Sequence, residues 1–136
     1  MDAIDTALVG VLEADSTLDG LAPGGVFFDL APAGVTEPYV LVSQQASEDD
    51  YVVGRVGEHL DGRDYLSKAV GRATGATPVD AAAARVTTLL NGADLAPTGY
   101  RTLLCRRRQR VRFVEVDGDR RWQHSGGVFE TLHHRL

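Results

Sequence analysis

Residues 100–132 read YRTLLCRRRQRVRFVEVDGDRRWQHSGGVFETL, and this stretch decides the fold of the chain. Side chains that suit a pleated sheet run from about Tyr100 to Val116, which predicts a long strand. The triplet Asp117-Gly118-Asp119 is typical of a tight turn. Residues 122–132 then predict the returning strand, with Gly126-Gly127 as a bulge or bend. The sequence therefore predicts a long antiparallel hairpin.

The helix that precedes this hairpin is the most clearly marked element. Thr77 is a candidate N-cap, Pro78 suits the first helical position, and Asp80 completes a T-x-x-D capping pattern. Asn91-Gly92 supplies a C-terminal stop. An apolar stripe at helical spacing predicts that this helix lies flat on the sheet. Its residues are Val79, Ala82, Ala83, Val86, Leu89 and Leu90.

The first half of the chain alternates helix and strand patterns. An amphipathic helix is predicted over residues 2–15 from the spacing of Ile4, Leu8, Val11 and Leu12. Short strands are predicted at residues 26–28, 39–42 and 65–70, with 39–42 as a central strand. Residues 43–64 predict a mobile loop or a long hairpin arm, with Asp61-Gly62 as a turn pair.

These elements predict an α+β fold with a mixed, mostly antiparallel β-sheet, two amphipathic helices packed on one face, and an extended loop or hairpin arm. A length of 136 residues with 43% hydrophobic content suits one domain, 1–136, around one core. Asp2 and Asp5 stand where a secretory signal needs basic residues, and no apolar run approaches a membrane span. The single cysteine, Cys105, favours a fold held by packing in a reducing compartment.

The net charge of −5 conceals a strong polarity along the chain. Residues 1–64 hold thirteen acidic and two basic side chains, whereas residues 65–136 hold twelve basic and six acidic ones. An acidic surface of one copy could meet a basic surface of the next and set the register of a head-to-tail ring. The alternative is that the two halves interleave and their charges cancel within one monomer.

Four arginines in the long strand are the most conspicuous candidates for a binding surface. Alternation along a strand predicts that they share one face; they are Arg106, Arg108, Arg110 and Arg112. Guanidiniums in a row repel one another unless they meet carboxylates, phosphates or solvent. The first candidate partner is an acidic patch of a neighbouring subunit formed by Glu48, Asp49 and Asp50. Nucleic acid backbone is the second, and a solvated edge strand kept charged against aggregation is the third.

No catalytic, cofactor or metal site is predicted. His133 and His134 are adjacent in a strand, so they point to opposite faces and cannot easily share one ion. Ser125 beside His124 lacks the strand-to-helix elbow of a nucleophilic serine. Cys105 has no neighbouring histidine, and burial is its expected fate. An enzyme is therefore not expected.

The order of elements resembles the tail completion, or tail terminator, family of long-tailed phages. The resemblance rests on a helix ending near Leu18-Asp19-Gly20-Leu21, a Gly-rich turn into Val26-Phe27, and the stretch Glu37-Pro38-Tyr39-Val40-Leu41-Val42. It continues through the Ala-rich helix to the hairpin that holds His124-Ser125-Gly126-Gly127-Val128-Phe129. The resemblance implies two helices on a mixed sheet and a hexameric ring that caps the tail tube.

The function expected from this resemblance is that of a structural virion protein at the head-proximal end of the tail, assembled in the host cytoplasm. Its implied partners are further copies of itself, the tail tube protein and the head-tail connector, in a ring through which DNA can pass without sequence-specific recognition. A head-to-tail adaptor or another minor tail protein is the first alternative. A nucleic-acid-binding module that uses the Arg106–Arg112 strand is the second, with binding that falls steeply with salt. A small hydrolase dependent on His124 or Ser125 is the third.

Overall fold

The computed structural model describes residues 1–51, 59–73 and 77–136, and for residues 49–51 and 77 it describes the backbone only. Its elements in chain order are α1 Ala3–Glu13, α2 Ser16–Leu21, β1 Val26–Phe28, β2 Tyr39–Tyr51, β3 His59–Arg72, α3 Thr77–Leu90, β4 Tyr100–Asp117 and β5 Arg120–Arg135. The strands form one sheet in the order β1-β2-β3-β5-β4. The β1–β2 pair is parallel and the other pairs are antiparallel, which confirms the predicted α+β fold with a mixed sheet.

The C-terminal hairpin forms as the sequence predicts. β4 and β5 pair from Tyr100 opposite Arg135 to Asp117 opposite Arg120. Gly118 lies in the turn with a φ of 62°, a conformation that costs glycine little. β3 lies at the centre of the sheet and pairs with both β2 and β5. Residues 39–42, which were expected in a central strand, lie in β2; this strand is second from the edge and is flanked by β1 and β3.

Residues 43–51 and 59–64 pair as the two strands of a hairpin arm, the second of the two predicted structures. β2 continues to Tyr51 and pairs with β3 through to His59. The prediction of a turn at Asp61-Gly62 is wrong, because both residues lie inside β3 and Asp61 is buried. Arg63, two residues further along the same strand, donates two hydrogen bonds to the Asp61 carboxylate. These bonds compensate for the burial of the Asp61 charge.

Three helices occur among the described residues, where two were expected. α1 begins at Asp2, whose carboxylate accepts hydrogen bonds from the Ile4 and Asp5 N–H groups, while the Asp5 carboxylate accepts one from the Asp2 N–H. The additional helix, α2, begins because the Asp15 carboxylate accepts a hydrogen bond from the Leu18 N–H. Leu18 then becomes part of the core.

The α3 helix follows the predicted stripe. Val79, Ala82, Ala83, Val86 and Leu90 are buried, and Leu89 packs against them. The helix ends at Leu90, and Gly92 takes a positive φ of 82°, as expected for the predicted stop. The predicted cap at Thr77 depends on a side chain that lies outside the described residues.

The core lies between the helices and one face of the sheet, which we call the helix-covered face. Its strand residues are Val40, Val42, Tyr65, Ala69, Cys105 and Phe129. From α1 and α3 come Ile4, Leu8, Leu12, Val86 and Leu90. We call the other side the open face, because none of the described helices packs on it. Among the described residues, no helix is long and apolar enough to cross a membrane.

A buried ion cluster fastens α1 to the sheet. Arg63 donates two hydrogen bonds of 2.9 Å to the Asp61 carboxylate. Its Nη1 also lies 2.6 Å from Asp2 Oδ2 and 3.3 Å from Asp5 Oδ1. The Tyr65 hydroxyl donates to Asp5 at 2.6 Å. Hydrogen bonding to Asp61 raises the pKa of Arg63, and burial together with Asp5 raises the pKa of Tyr65. The cation therefore stays charged and the hydroxyl stays protonated.

Gly126 and Gly127 do not form the predicted bulge or bend. Both pair in register with β3 and with β4. A Cβ on Gly126 would overlap the Ser67 carbonyl oxygen and lie 2.5 Å from the Lys68 Cα, while one on Gly127 would lie 2.8 Å from the Gln109 carbonyl oxygen. Close approach of the neighbouring strands therefore requires glycine at these two positions.

We expect the Gly126→Ala substitution to lower the free energy of unfolding by about 1–3 kcal/mol, since the obstructing atoms are backbone and cannot move aside cheaply. Gly10→Ala is the matched control. Nothing lies within 4 Å of its new methyl group, and alanine in a helix is favoured over glycine by about 0.5–1 kcal/mol. Urea denaturation followed by circular dichroism measures both, and equal effects would contradict the close approach.

We also expect Arg63→Met to lower the free energy of unfolding by about 3–5 kcal/mol, because it leaves buried carboxylates without their cation. Tyr65→Phe, which removes one hydrogen bond to a carboxylate, should cost about 1.5–3 kcal/mol. Arg72→Met is the control, since its ion pair with Glu37 is exposed and contributes less than about 1 kcal/mol. A loss at Arg63 no larger than at Arg72 would show that the cluster does not anchor α1.

Candidate interface surfaces

The four arginines predicted to share one face are divided between the two faces of the sheet. A β-bulge shifts the register of β4 between Arg107 and Gln109, and beyond it the alternation of side chains is reversed. Arg106 pairs with Glu130 on the open face, whereas Arg110 and Arg112 pair with Gly127 and Ser125, in line with Phe129 on the helix-covered face. The prediction of one basic ribbon is therefore wrong, because the extra residue breaks the period of two.

Arg106 and Arg108 meet carboxylates of their own chain on the open face. Arg106 lies 3.1 Å from Glu130, and Arg108 lies 3.2 Å from Asp64. Both arginine side chains are more than half exposed, so each pair contributes about 1 kcal/mol or less. The Arg108–Asp64 pair joins the basic half of the chain to the acidic half, as the interleaving alternative expected, whereas Arg106 and Glu130 both belong to the basic half.

The predicted acidic partners lie on β2. Glu48 lines an open-face depression together with Asp64, Arg108 and Glu130. Asp49 and Asp50 pair with Asp61 and Leu60 through the backbone, and their side chains lie outside the described residues. A contact of these three residues with a neighbouring subunit stays a prediction.

Arg110 and Arg112 lie on the helix-covered face, near the start of α3. Arg112 approaches Asp80 of α3 at 3.5 Å, with both side chains well exposed. Arg110 is exposed and forms no ion pair with any described residue. Arg110 is therefore available to a partner. The Arg112–Asp80 pair is exposed and contributes about 1 kcal/mol or less, so Arg112 can exchange Asp80 for a carboxylate of a partner.

The outer edge of β4 is covered at one end and open at the other. The Cys105 carbonyl accepts a hydrogen bond of 2.7 Å from the Gly92 N–H, and the Arg107 N–H donates to the Asn91 side chain at 3.0 Å. The residues after α3 therefore close the edge around 105–107. From Gln109 onward no described element covers it.

Apolar side chains are exposed on this open part of β4. Phe113, Val114 and Val116 are 43%, 50% and 65% exposed. Valine and phenylalanine beside arginine on an uncovered edge strand form a template for pairing with another chain. The sequence shows these apolar residues close to Arg110 and Arg112, but the predicted binding surface included only the arginines.

The opposite edge of the sheet carries a groove with acidic residues at its rim. It lies between α1, α2 and β1, and its apolar lining includes Leu12, Leu18 and Ala22. Glu13 and Asp19 are exposed at its rim and form no ion pairs with the described residues. At the end of β1, Leu30 is 81% exposed. Sequence reasoning had placed no functional residue here, because the groove exists only once α2 packs beside β1.

On the open face His124 takes part in a small polar and aromatic cluster. Its ring stacks on Phe113 with centroids 4.4 Å apart, and its Nε2 donates to Glu115 at 2.8 Å. The Lys68 ammonium lies 5.0 Å above the Phe113 ring. Burial, aided by the charge of Lys68, lowers the pKa of His124. The neighbouring Ser125 lies on the opposite face, so the two side chains do not form a nucleophile–base pair.

Other candidates for chemistry are structural. Cys105 is buried, and burial raises the pKa of its thiol to about 11, so it stays protonated at neutral pH. His133 is buried on the helix-covered face with its Nδ1 3.2 Å from the Thr102 hydroxyl, while His134 points to the other face as predicted. Within the described ranges, no group of three or more His, Cys, Asp or Glu side chains is placed to hold a metal ion.

Comparisons with known proteins agree on the architecture. The family model described as tail completion protein gp17 matches residues 6–133. No curated protein matches the sequence. Among the solved structures that match is a chain titled "Virion of native gene transfer agent (GTA) particle", with a TM-score of 0.73 and 23% sequence identity. The match covers 97% of this chain and 95% of that one, and at this identity it shows a shared fold.

The free energy of unfolding should decrease as the pH falls from about 7.5 to about 5.5. The folded pKa of both His124 and His133 is lowered, chiefly by burial, so the unfolded chain binds more protons once the pH approaches the ordinary histidine value of about 6.5. The decrease should be smaller in a His124→Gln, His133→Gln double variant. Denaturant titrations at several pH values measure it, and an identical slope in both proteins would contradict this origin.

Proposed function

Since this chain belongs to the tail completion protein gp17 family, we propose that it is a tail terminator whose copies form a ring that caps the tail tube and joins it to the head-tail connector. The family match spans residues 6–133, which makes the chain a structural protein of the virion tail. The ring, its six-fold number and its two neighbours are the finer part of the proposal. The family match is the observation that carries it.

Two different open edges support assembly into a ring. β1 forms one edge of the sheet and β4 forms the other. Exposed apolar side chains lie at both edges: Leu30 just after β1, and Phe113, Val114 and Val116 in β4. A subunit with two dissimilar contact surfaces associates head to tail, and such an association closes into a ring when the rotation per subunit permits. Self-complementary dimerisation would instead require one surface that matches itself.

The two ends of the sheet support stacking between two other components. The β2–β3 arm projects beyond β1 at one end of the sheet, toward Tyr51 and His59. The turn between Asp117 and Arg120 lies at the other end, because β4 runs antiparallel to β2 across the sheet. A ring of such subunits would present arms on one rim and turns on the other. One rim would then meet the tail tube and the other the connector.

The nucleic-acid alternative loses its main support. It required Arg106, Arg108, Arg110 and Arg112 on one surface, and the bulge in β4 separates them into two pairs on opposite faces. Arg106 and Arg108 are also engaged by carboxylates of the same chain. A head-to-tail adaptor or another minor tail protein would differ from a terminator in the component that it binds, which the following experiment distinguishes.

The purified protein should form a closed ring, most simply a hexamer, and should bind one end of isolated tail tubes. Light scattering at low and moderate salt gives the mass, and electron microscopy of the protein alone and mixed with tubes shows the ring and its position. Binding to connectors but never to tubes would favour the adaptor. A protein that stays monomeric both alone and with tubes would contradict the ring.

A further inference from the structure

We propose that the two open edges of the sheet join one copy of this chain to the next, with β1 of one copy beside residues 110–112 in β4 of its neighbour. In this junction Arg110 and Arg112 of the neighbour face Glu13 and Asp19 at the rim of the groove. The inference deepens the proposed ring, on which it rests, by naming the surfaces that form it. The partner is a second copy of the same chain.

The uncovered part of β4 requires a partner of this kind. Residues 109–116 present an unpaired strand edge together with the exposed side chains of Phe113, Val114 and Val116. An exposed edge strand with apolar side chains is a template for pairing with another strand, and the charges of Arg110 and Arg112 restrict that pairing to an acidic partner. The adjacent residues 105–107 are already closed by Asn91 and Gly92, so the available edge begins at Gln109.

The two edges lie at the same height in the sheet. Strand pairing leads from Val26 through Val40, Ala69 and Ser125 to Arg112. In the same way it leads from Phe28 through Val42, Ser67 and Gly127 to Arg110. A rotation axis roughly parallel to the strands therefore brings the three residues of β1 beside residues 110–112 without sliding one copy past the next.

The strand directions favour the same junction. β1 runs parallel to β2, and β4 runs antiparallel to β2 across three antiparallel pairings. Rotation about an axis along the central strand keeps the component of each strand along that axis unchanged, so β4 of one copy and β1 of the next run in opposite senses. Antiparallel pairing is slightly the more stable kind, and it extends the mixed sheet from subunit to subunit.

The charges and apolar surfaces of the two edges are complementary. Arg110 and Arg112 lie on the helix-covered face, and the groove rimmed by Glu13 and Asp19 lies on the helix side of β1. Val114 lies on the same face as the two arginines and is level with Gly71, beside Pro38. The Pro38 carbonyl accepts a hydrogen bond from Gly24, a residue of the groove lining. The junction therefore places an apolar residue against the groove and cations against its acidic rim.

Glu48 is a less suitable partner for these arginines in the same arrangement. Strand pairing places it level with Leu104, through Gly62 and Leu132. This is the part of β4 next to the edge that Asn91 and Gly92 close. Glu48 also lies on the open face, away from Arg110 and Arg112.

Charge reversal with exchange tests the junction. One variant carries Arg110→Glu and Arg112→Glu, and the other carries Glu13→Arg and Asp19→Arg; all four side chains are exposed. Each variant alone places like charges across every junction, and we expect its apparent dissociation constant to rise about a hundredfold or more. Mixed in equal amounts, the two should assemble again with alternating subunits, so native mass spectrometry should find rings with equal numbers of each.

The controls separate this contact from the others. Arg101→Glu makes the same change at the far end of β4 and should assemble like the wild type, as should Glu48→Arg. Assembly of either double variant alone at wild-type affinity, or no recovery in the mixture, would overturn the junction. If the wild type forms its ring under those conditions, the proposed function stands while the junction falls. A wild type that stays monomeric alone and on tail tubes overturns both.

Discussion

The position of α1 depends on one buried cation. Arg63 of β3 gathers Asp61 from its own strand and Asp2 and Asp5 from the start of α1, with Tyr65 completing the contacts. Carboxylates so close together repel one another unless a cation lies between them, so Arg63 stabilises the start of α1 at this place on the sheet. The other end of the same helix carries Glu13 at the rim of the groove beside β1. An anchor at one end of α1 thereby positions a candidate contact surface at the other.

A second ion pair continues this arrangement into α2. Asp15 caps α2 and also binds Arg85 of α3 through two hydrogen bonds of 2.7 and 2.8 Å. These bonds, with the Leu18 N–H, lower the pKa of Asp15 to about 2. The short helix is thus tied to the long one, and the groove between α1, α2 and β1 keeps its shape. Because its walls are already fixed, the groove itself would lose little conformational entropy when a partner binds.

The bulge in β4 gives the two halves of this strand different surroundings. Before it, Arg106 and Arg108 are neutralised on the open face by carboxylates of the same chain. After it, Arg110 and Arg112 turn to the helix-covered face, where the helical layer ends. The one additional residue of the bulge therefore separates arginines that pair within the chain from arginines that a neighbouring subunit can contact. For a structural protein of the virion tail, this division allows the monomer to fold alone and still present a contact surface.

The sequence alone determined the elements whose signals are local: the helical spacing in residues 77–90, the Asp117-Gly118-Asp119 turn, and the apolar strand runs. It did not determine α2 or the length of β2 and β3. The resemblance of the order of elements was enough to indicate the family. It did not determine which arginines act together, because an alternation of two holds only until an extra residue intervenes, and the bulge at Arg108 is set by pairing with β5. Nor did it reveal the groove, whose lining comes from residues as distant as Leu12 and Phe27. The division of charge between cancelled and available groups was decided by the tertiary structure alone, since it depends on which side chains the fold brings within reach.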